Sequence, residues 1–427
     1  MKRLGLLLCL TCLSPSLWAW SNHTQGTYLA LAGLPALRQA APVAVEDLDQ
    51  FLARESAGLV ALLDEQEAFA RRHIRQYPPR PDALRFDGHS TTPRRAFLEA
   101  LRLNPAIRLA NAIQPRLGES LPGHAYLAPT QVLVFHQLGP WDGWRFLAVQ
   151  PGEPVAPLAV LASAADEPDY GHDIDLFSDS PGAVGQRYGF GPQPFGDPGY
   201  EFSSQAPFHM GFYHESALIF AGAPYLQRSW PAWRAYQFQG LARYAFAHGH
   251  PYWGYRFLGW AMHYLQDLTQ PYHATPLPGE STAQLLWIAA EAALGFDADK
   301  RAAIRGVAER HLGVERYQLD WLLQALRGGQ GGELLAAYAD SRGDGDYPVW
   351  SVDYLPQVVA AEAHARAADF DAAIGHALAT IVTPQGFSQG NALAPFVHDP
   401  RLDAQLLPLL RAFGAHSRNL ARATLPP

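Results

Sequence analysis

Ala261–Ala274, AMHYLQDLTQPYHA, decides how the rest of this 427-residue chain is read. It packs His263, Asp267 and His273 into eleven residues. The run beginning near Tyr255 has helical patterning, which places His263 and Asp267 one turn apart on one face, where both can reach a single metal ion. Pro271 cannot continue that helix, so it should end near Gln270. The chain then turns, leaving His273 close by but aimed elsewhere. Imidazole and carboxylate are good zinc ligands, and a change of direction between them suits two neighbouring ions better than one. A His–Asp pair at i,i+4 is by itself more often a helix-face pairing than a metal site, so the weight falls on the whole string.

That string, H-Y-L-x-D-x-x-Q-P-x-H-A over His263, Asp267, Gln270, Pro271, His273 and Ala274, resembles the central helix of the zinc-dependent phospholipase C family, whose relatives include the fungal single-strand nucleases. The resemblance implies an all-α, multi-helix fold of the phospholipase C and nuclease type, and three zinc ions. It also implies where further ligands lie. Family members begin, once processed, at a Trp whose amino group and carbonyl bind zinc with a nearby His. Trp20 and His23 in W-S-N-H-T look like that start, although the interval is short. A loop aspartate ahead of the central helices is expected to be both ligand and general base. In ADEPDYGHDID (165–175) Asp169 is the candidate, with Asp166 and Asp173 as alternatives, and Tyr170 beside it is the candidate head-group contact. Composition alone would leave that acidic stretch a solvated turn. One His is expected before the central helices. His209 fits, and His214 is the alternative. Downstream, a His and a carboxylate four residues apart are expected on another helix, and His311 with Glu315 is the first such pair. In the implied grouping Asp169, His209, His263 and Asp267 hold one ion, His273, His311 and Glu315 a second, and Trp20 with His23 a third, with Asp267 as a bridge.

The N-terminus supports such processing. Lys2 and Arg3 precede the apolar run Leu4–Leu13, and Ala19 offers a small residue before a cut, the pattern of a secretory leader. Removing residues 1–19 takes away both cysteines, Cys9 and Cys12, so no disulfide or thiolate ligand is expected in the exported chain. It also takes away Lys2 and Arg3, so 32 basic residues become 30 against 40 acidic ones and the formal charge moves from −8 to −10. That balance disfavours a generic grip on a nucleic-acid backbone. It does not disfavour a metal-centred phosphodiesterase, because bound cations supply local positive charge. Beyond the leader no apolar stretch is long enough to span a bilayer.

Elsewhere the patterning is mostly helical. Val45–Arg75 and Thr92–Leu117 read as helices, the first with Leu48, Phe51, Leu52, Leu59, Leu62 and Leu63 at three-and-four spacing. Residues around Gly139-Pro140-Trp141-Asp142-Gly143 read as a β-hairpin, with Val132, Val134 and Phe135 on one side and Trp144, Phe146 and Val149 on the other. Material from about 30 to 160 is read as an insertion relative to compact family members, and the helical segment from about 320 as a C-terminal extension. Trp230–His248 and Pro251–Gln270 form consecutive helices with aromatic stripes, and an extra apolar helix covers about Ala283–Phe296. The expectation is therefore an exported zinc-dependent phosphoric diester hydrolase, a phospholipase C acting on phospholipid at a membrane surface. A zinc-dependent single-strand nuclease and a non-catalytic zinc-binding protein of the same fold are the alternatives.

Overall fold

The predicted central helix is the centre of the molecule. PYWGYRFLGWAMHYLQD (Pro251–Asp267) is apolar or aromatic on every side, and all its residues after Pro251 are buried, as expected of a helix enclosed by neighbours rather than one lying on a surface. In the computed structural model, which describes residues 20, 22–119, 122–135, 144–196, 201–296, 298–328, 332–381 and 397–427, the other elements wrap this helix. The leader read at 1–19 lies outside the described residues.

Helices of eight or more residues are α1 (His23–Leu31), α2 (Leu48–His73), α3 (Pro93–Ala100), α4 (Pro157–Ala164), α5 (Pro231–Ala247), α6 (Pro251–Asp267), α7 (Thr282–Ala293), α8 (Ala298–Gly328), α9 (Gly332–Ala339), α10 (Ala367–Ile381) and α11 (Pro400–Thr424). Among the described residues strands are confined to five short pieces: β1 (Val43–Ala44), β2 (Ala112–Ile113), β3 (Tyr126–Leu127), β4 (Phe146–Ala148) and β5 (Pro154–Val155). They form an antiparallel β1–β5 pair and a three-stranded sheet ordered β2-β4-β3. The fold is all-α with small sheets attached.

α6 packs chiefly on α5 and α4. Gly259 sets the α4 contact: a Cβ there would stand 2.5 Å from Ala164 Cβ and 2.6 Å from Leu161 O. Without a side chain at 259 the two helices approach closely, one turn before His263, and this brings the end of α4 to the site. α5 turns into α6 through Gly249, whose φ of +81° suits glycine.

The C-terminal third is part of the same core. Leu402, Leu406, Leu409, Leu410 and Phe413 of α11 share one apolar cluster with Trp20, Leu161 and Trp260. Phe413 meets the Trp20 ring edge-on at 6.3 Å and lies 6.5 Å from the His23 ring. Trp20 is buried and its indole N–H donates to Gln266 O (3.0 Å) and Thr269 Oγ1 (3.1 Å), and burying so large a ring is worth roughly 1.5–3 kcal/mol.

Three expectations need correction. The helix expected over Thr92–Leu117 ends at Ala100. Arg102 and Leu109 adopt positive φ, and Pro105 lacks a backbone donor, while the buried Arg102 guanidinium is spent on Pro78 O (2.8 Å) and Tyr188 O (3.4 Å). The strand partners of Phe146–Ala148 are Ala112–Ile113 and Tyr126–Leu127, not Val132–Phe135, and the turn expected at 139–143 lies outside the described residues. Finally, α6 stops at Asp267 rather than Gln270, because Gln270 caps the next turn, its side chain accepting from Tyr272 N.

Candidate metal centre

His263 and Asp267 project from the last turn of α6, as their spacing requires, with Nε2 and Oδ2 3.3 Å apart. Around them the fold gathers His23 from the first turn of α1, Asp169 from the short turn Glu167–Tyr170 after α4, and His209 from the short helix Ala206–His209. His209 Nδ1 stands 2.8 Å from Asp267 Oδ2, 3.0 Å from His263 Nε2 and 3.8 Å from Asp169 Oδ1. His263 Nε2 is 3.6 Å from Asp169 Oδ1, and His23 Nε2 is 3.3 Å from Asp267 Oδ1. Two triads, His23–Asp169–His263 and His209–His263–Asp267, each keep their ligand atoms within 4.8 Å of one another. Ligands about 2.0–2.1 Å from one tetrahedral ion lie about 3.3 Å apart, so the observed separations are of the right size for a shared cation. Asp267 turns one oxygen to His23 and the other to His209 and His263, the disposition a bridging carboxylate needs.

The rings are oriented by their second nitrogens. His263 Nδ1 lies 2.7 Å from Ala165 O, and His273 Nδ1 lies 2.9 Å from His209 O. A carbonyl only accepts, so each ring carries its hydrogen on Nδ1 and turns the Nε2 lone pair inward. For His23 the acceptor is Gln266 Oε1 at 2.9 Å. The Gln266 amide is itself fixed, its Nε2 donating to Thr27 Oγ1 (2.8 Å) and Ser417 Oγ (3.1 Å). His209 is reversed: its Nε2 faces Asp173 Oδ2 at 3.3 Å, so Nδ1 is the inward atom. Asp173 is held in turn by Arg234 (2.5 Å) and by Tyr264 O–H (2.6 Å). It therefore positions His209. Asp166 has a comparable task, accepting from His23 N (2.7 Å) and Asn22 Nδ2 (3.1 Å) and so fixing the N-terminal segment.

A second group continues from the first. His273, on the turn Pro271–Ala274, points Nε2 at His311 Nε2 (3.2 Å), and His311 Nε2 meets Glu315 Oε1 at 3.0 Å, both from α8. Asp371 of α10 holds the two elements together, accepting from Tyr272 O–H (2.6 Å) and pairing with Arg310 (2.5 Å).

The electrostatics leave room for a cation. None of the nine predicted ligands exceeds 6% exposure. Among the described residues the only cationic partners within 4 Å of Asp169 and Asp267 are histidines. Buried carboxylates without compensation cost several kcal/mol each. Burial accordingly pushes the Asp169 carboxyl up. Burial would also raise Asp267, but His263, His209 and His23 hold it well below the usual carboxylate range. Burial opposes protonation of His23 and His209, yet the facing carboxylates override it and lift them to about 9 and about 10. Desolvation lowers His263, takes His273 down to about 4 and leaves His311 well below its usual value, so these rings are neutral, the form that binds metal. The donor set, five imidazoles and three carboxylates with no sulfur, is one that could hold a divalent metal ion.

His23, Asp169, His209, His263 and Asp267 converge, and His273, His311 and Glu315 adjoin them. Trp20 is brought alongside by its indole contacts with Gln266 and Thr269. His214 is elsewhere, its Nε2 2.6 Å from Pro356 O. Tyr170 is buried with its ring edge-on to Phe146 at 5.6 Å and its hydroxyl at Gln114. Sequence reasoning missed Gln266 and Arg234 altogether and considered Asp173 only as an alternative to Asp169, not as the support of His209. Gln266 lies inside the decisive stretch, but no spacing rule singles out a residue that acts through another side chain. No protein-family model matches the chain, and neither a curated protein nor a solved structure matches it. No described helix is long and apolar enough to cross a membrane.

Proposed function

We propose that this protein is an exported zinc-dependent phosphoric diester hydrolase of the phospholipase C type. The observation that carries the reading is the buried convergence of His23, Asp169, His209, His263 and Asp267, continued through His273, His311 and Glu315, with no Arg or Lys among the described residues neutralising Asp169 or Asp267. In this reading His23, Asp169, His209, His263 and Asp267, with the freed Trp20 terminus, hold the ions of one half, and His273, His311 and Glu315 hold the ion of the other. When bound, zinc supplies Lewis-acid charge to phosphoryl oxygens and brings the pKa of water toward neutrality. Asp169, its carboxyl raised by burial, is the group proposed to accept the proton of the attacking water. Asp173 and Gln266 keep the His209 and His23 rings in the orientation that ligation needs.

The test uses chain starting at Trp20, beside a version carrying one extra residue before it. Elemental analysis should find about three zinc ions in the first and about one fewer in the second, because a peptide bond removes the Trp20 amino group as a donor. Phosphatidylcholine and single-stranded DNA are then offered in parallel. Chelator-sensitive hydrolysis of the lipid alone supports the proposal, and turnover of DNA alone would replace it with the nuclease alternative. Bound metal without turnover of either would leave a non-catalytic zinc protein.

A further inference from the structure

Among the described residues eight large apolar side chains are strongly exposed, and four of them gather in one sector. They are Leu218 (63%) on the short helix Ala217–Gly222, Trp287 (64%) on α7, and Leu294 (75%) and Phe296 (70%) in the turn after it. α7, TAQLLWIAAEAA, carries one charged residue, Glu291. Its inner side packs on the Ala217–Gly222 helix, where Leu286 closes on Gly222 and Leu285 joins a satellite cluster of Phe212, Ile219, Ala223 and Leu226, separate from the main core. Among the described residues the outer side has no partner. An apolar patch of this kind on a folded chain marks an interaction surface.

Charge indicates the occupant. The chain is acidic overall, yet two cations flank this patch: Arg75 lies 5.1 Å over the Phe220 ring, and Lys300 Nζ lies 5.6 Å over the Tyr225 ring. A second copy of the chain is a poor match. A twofold contact would set the cations of one copy near those of the other across the interface, with no anion among the described residues of the patch to meet them except Glu291. A phospholipid surface matches both features, taking Trp, Leu and Phe at the level of the head groups while Arg and Lys meet the phosphates. The patch is also continuous in sequence with the site. The Ala217–Gly222 helix follows His209, α7 follows His273, and the turn with Leu294 and Phe296 leads into α8, which carries His311 and Glu315.

We infer that the outer face of Ala217–Gly222, α7 and the turn after it is a docking surface for a phospholipid bilayer, with Arg75 and Lys300 as its phosphate-facing rim. Its purpose rests on the phosphodiesterase reading; its existence does not. The test is flotation of the full metal-loaded chain with vesicles of phosphatidylcholine and phosphatidylglycerol. The wild-type chain should float with the vesicles. A Trp287→Ser/Leu294→Ser/Phe296→Ser variant, altered only at exposed positions and checked by circular dichroism, should lose binding by about tenfold or more. Arg75→Gln/Lys300→Gln should lose about tenfold where phosphatidylglycerol is present and less on phosphatidylcholine alone. Undiminished binding of the triple variant, or absence of binding by wild type, overturns the inference, and so does a dimer in sedimentation that the triple variant dissociates. A water-soluble short-chain phosphodiester separates the two proposals. Patch-dependent flotation without turnover of that compound upholds docking and fails the hydrolase reading, whereas turnover with patch-independent flotation does the reverse.

Discussion

Replacing Asp173 by Asn tests whether the histidines are positioned from behind. In the folded chain Asp173 accepts from Arg234 Nε (3.0 Å) and Nη2 (2.5 Å) and from Tyr264 O–H (2.6 Å), and it faces His209 Nε2 at 3.3 Å. Both members of the Arg234–Asp173 pair are fully buried. Removing one charge of such a pair strands the other, at about 3–5 kcal/mol. Arg234 keeps its bonds to Leu101 O, Arg102 O and Gln237 Oε1, and Asn retains one acceptor, so about 3 kcal/mol is expected. Tyr264→Phe, which removes one hydrogen bond, should cost only about 1 kcal/mol. Burial would raise Asp173, but Arg234 and His209 hold it below the usual carboxylate range. Its contribution is therefore full above pH about 4 and is lost as pH falls, so the variant's stability should depend less on acid. An Asn amide that donates toward His209 would also reverse that ring's tautomer and withdraw Nδ1 as a ligand, lowering metal affinity by about 10–100-fold. Urea unfolding of the metal-free chain and competition with a chelator measure the two effects. Stability within about 0.5 kcal/mol of wild type together with unchanged metal affinity would refute the reasoning.

Gly259→Ala should destabilise by about 1–3 kcal/mol in the same urea assay, since its Cβ meets Leu161 O and Ala164 and must push α4 away; a neutral result would mean that the two helices yield freely. Gln266→Leu takes the acceptor from His23 Nδ1, and elemental analysis should find about one ion fewer per chain, or an ion held about 10–100-fold more weakly. Because His23 and His209 are raised to about 9 and about 10, both carry protons at neutral pH without metal. Zinc uptake should then release about two protons and strengthen as pH rises toward about 9, which calorimetry in buffers of different ionisation enthalpy will show, and proton-neutral binding would contradict the assignment. In the metal-free chain these two histidines add stability fully below pH about 6.5 and lose it as pH passes their raised values.

The spacing of His263, Asp267 and His273 was legible because helix geometry converts i,i+4 into a shared face and a proline into a turn, and both relations are local. His311 and Glu315 follow the same rule. The start of α1 was legible only through resemblance, since nothing local says that His23 meets Asp267 across 244 positions. The helix expected over Thr92–Leu117 failed because a buried arginine and a proline, not apolar periodicity, set the backbone after Ala100. His209 and His214 were hard to separate because both follow a long loop, whose path depends on what it packs against.

Sequence by itself determined the local order of this protein: a helical chain with an enclosed central helix, a His–Asp pair on its last turn and a proline-driven change of direction toward a second histidine. Only the tertiary structure decided which distant residues complete the cluster and which hold it from behind. Gly259 lets α4 approach, Gln266 aims His23, and Asp173 with Arg234 aims His209. Those choices arise from close packing and from the need to satisfy every buried polar atom, and these bind residues far apart in the chain and leave no period or spacing along it.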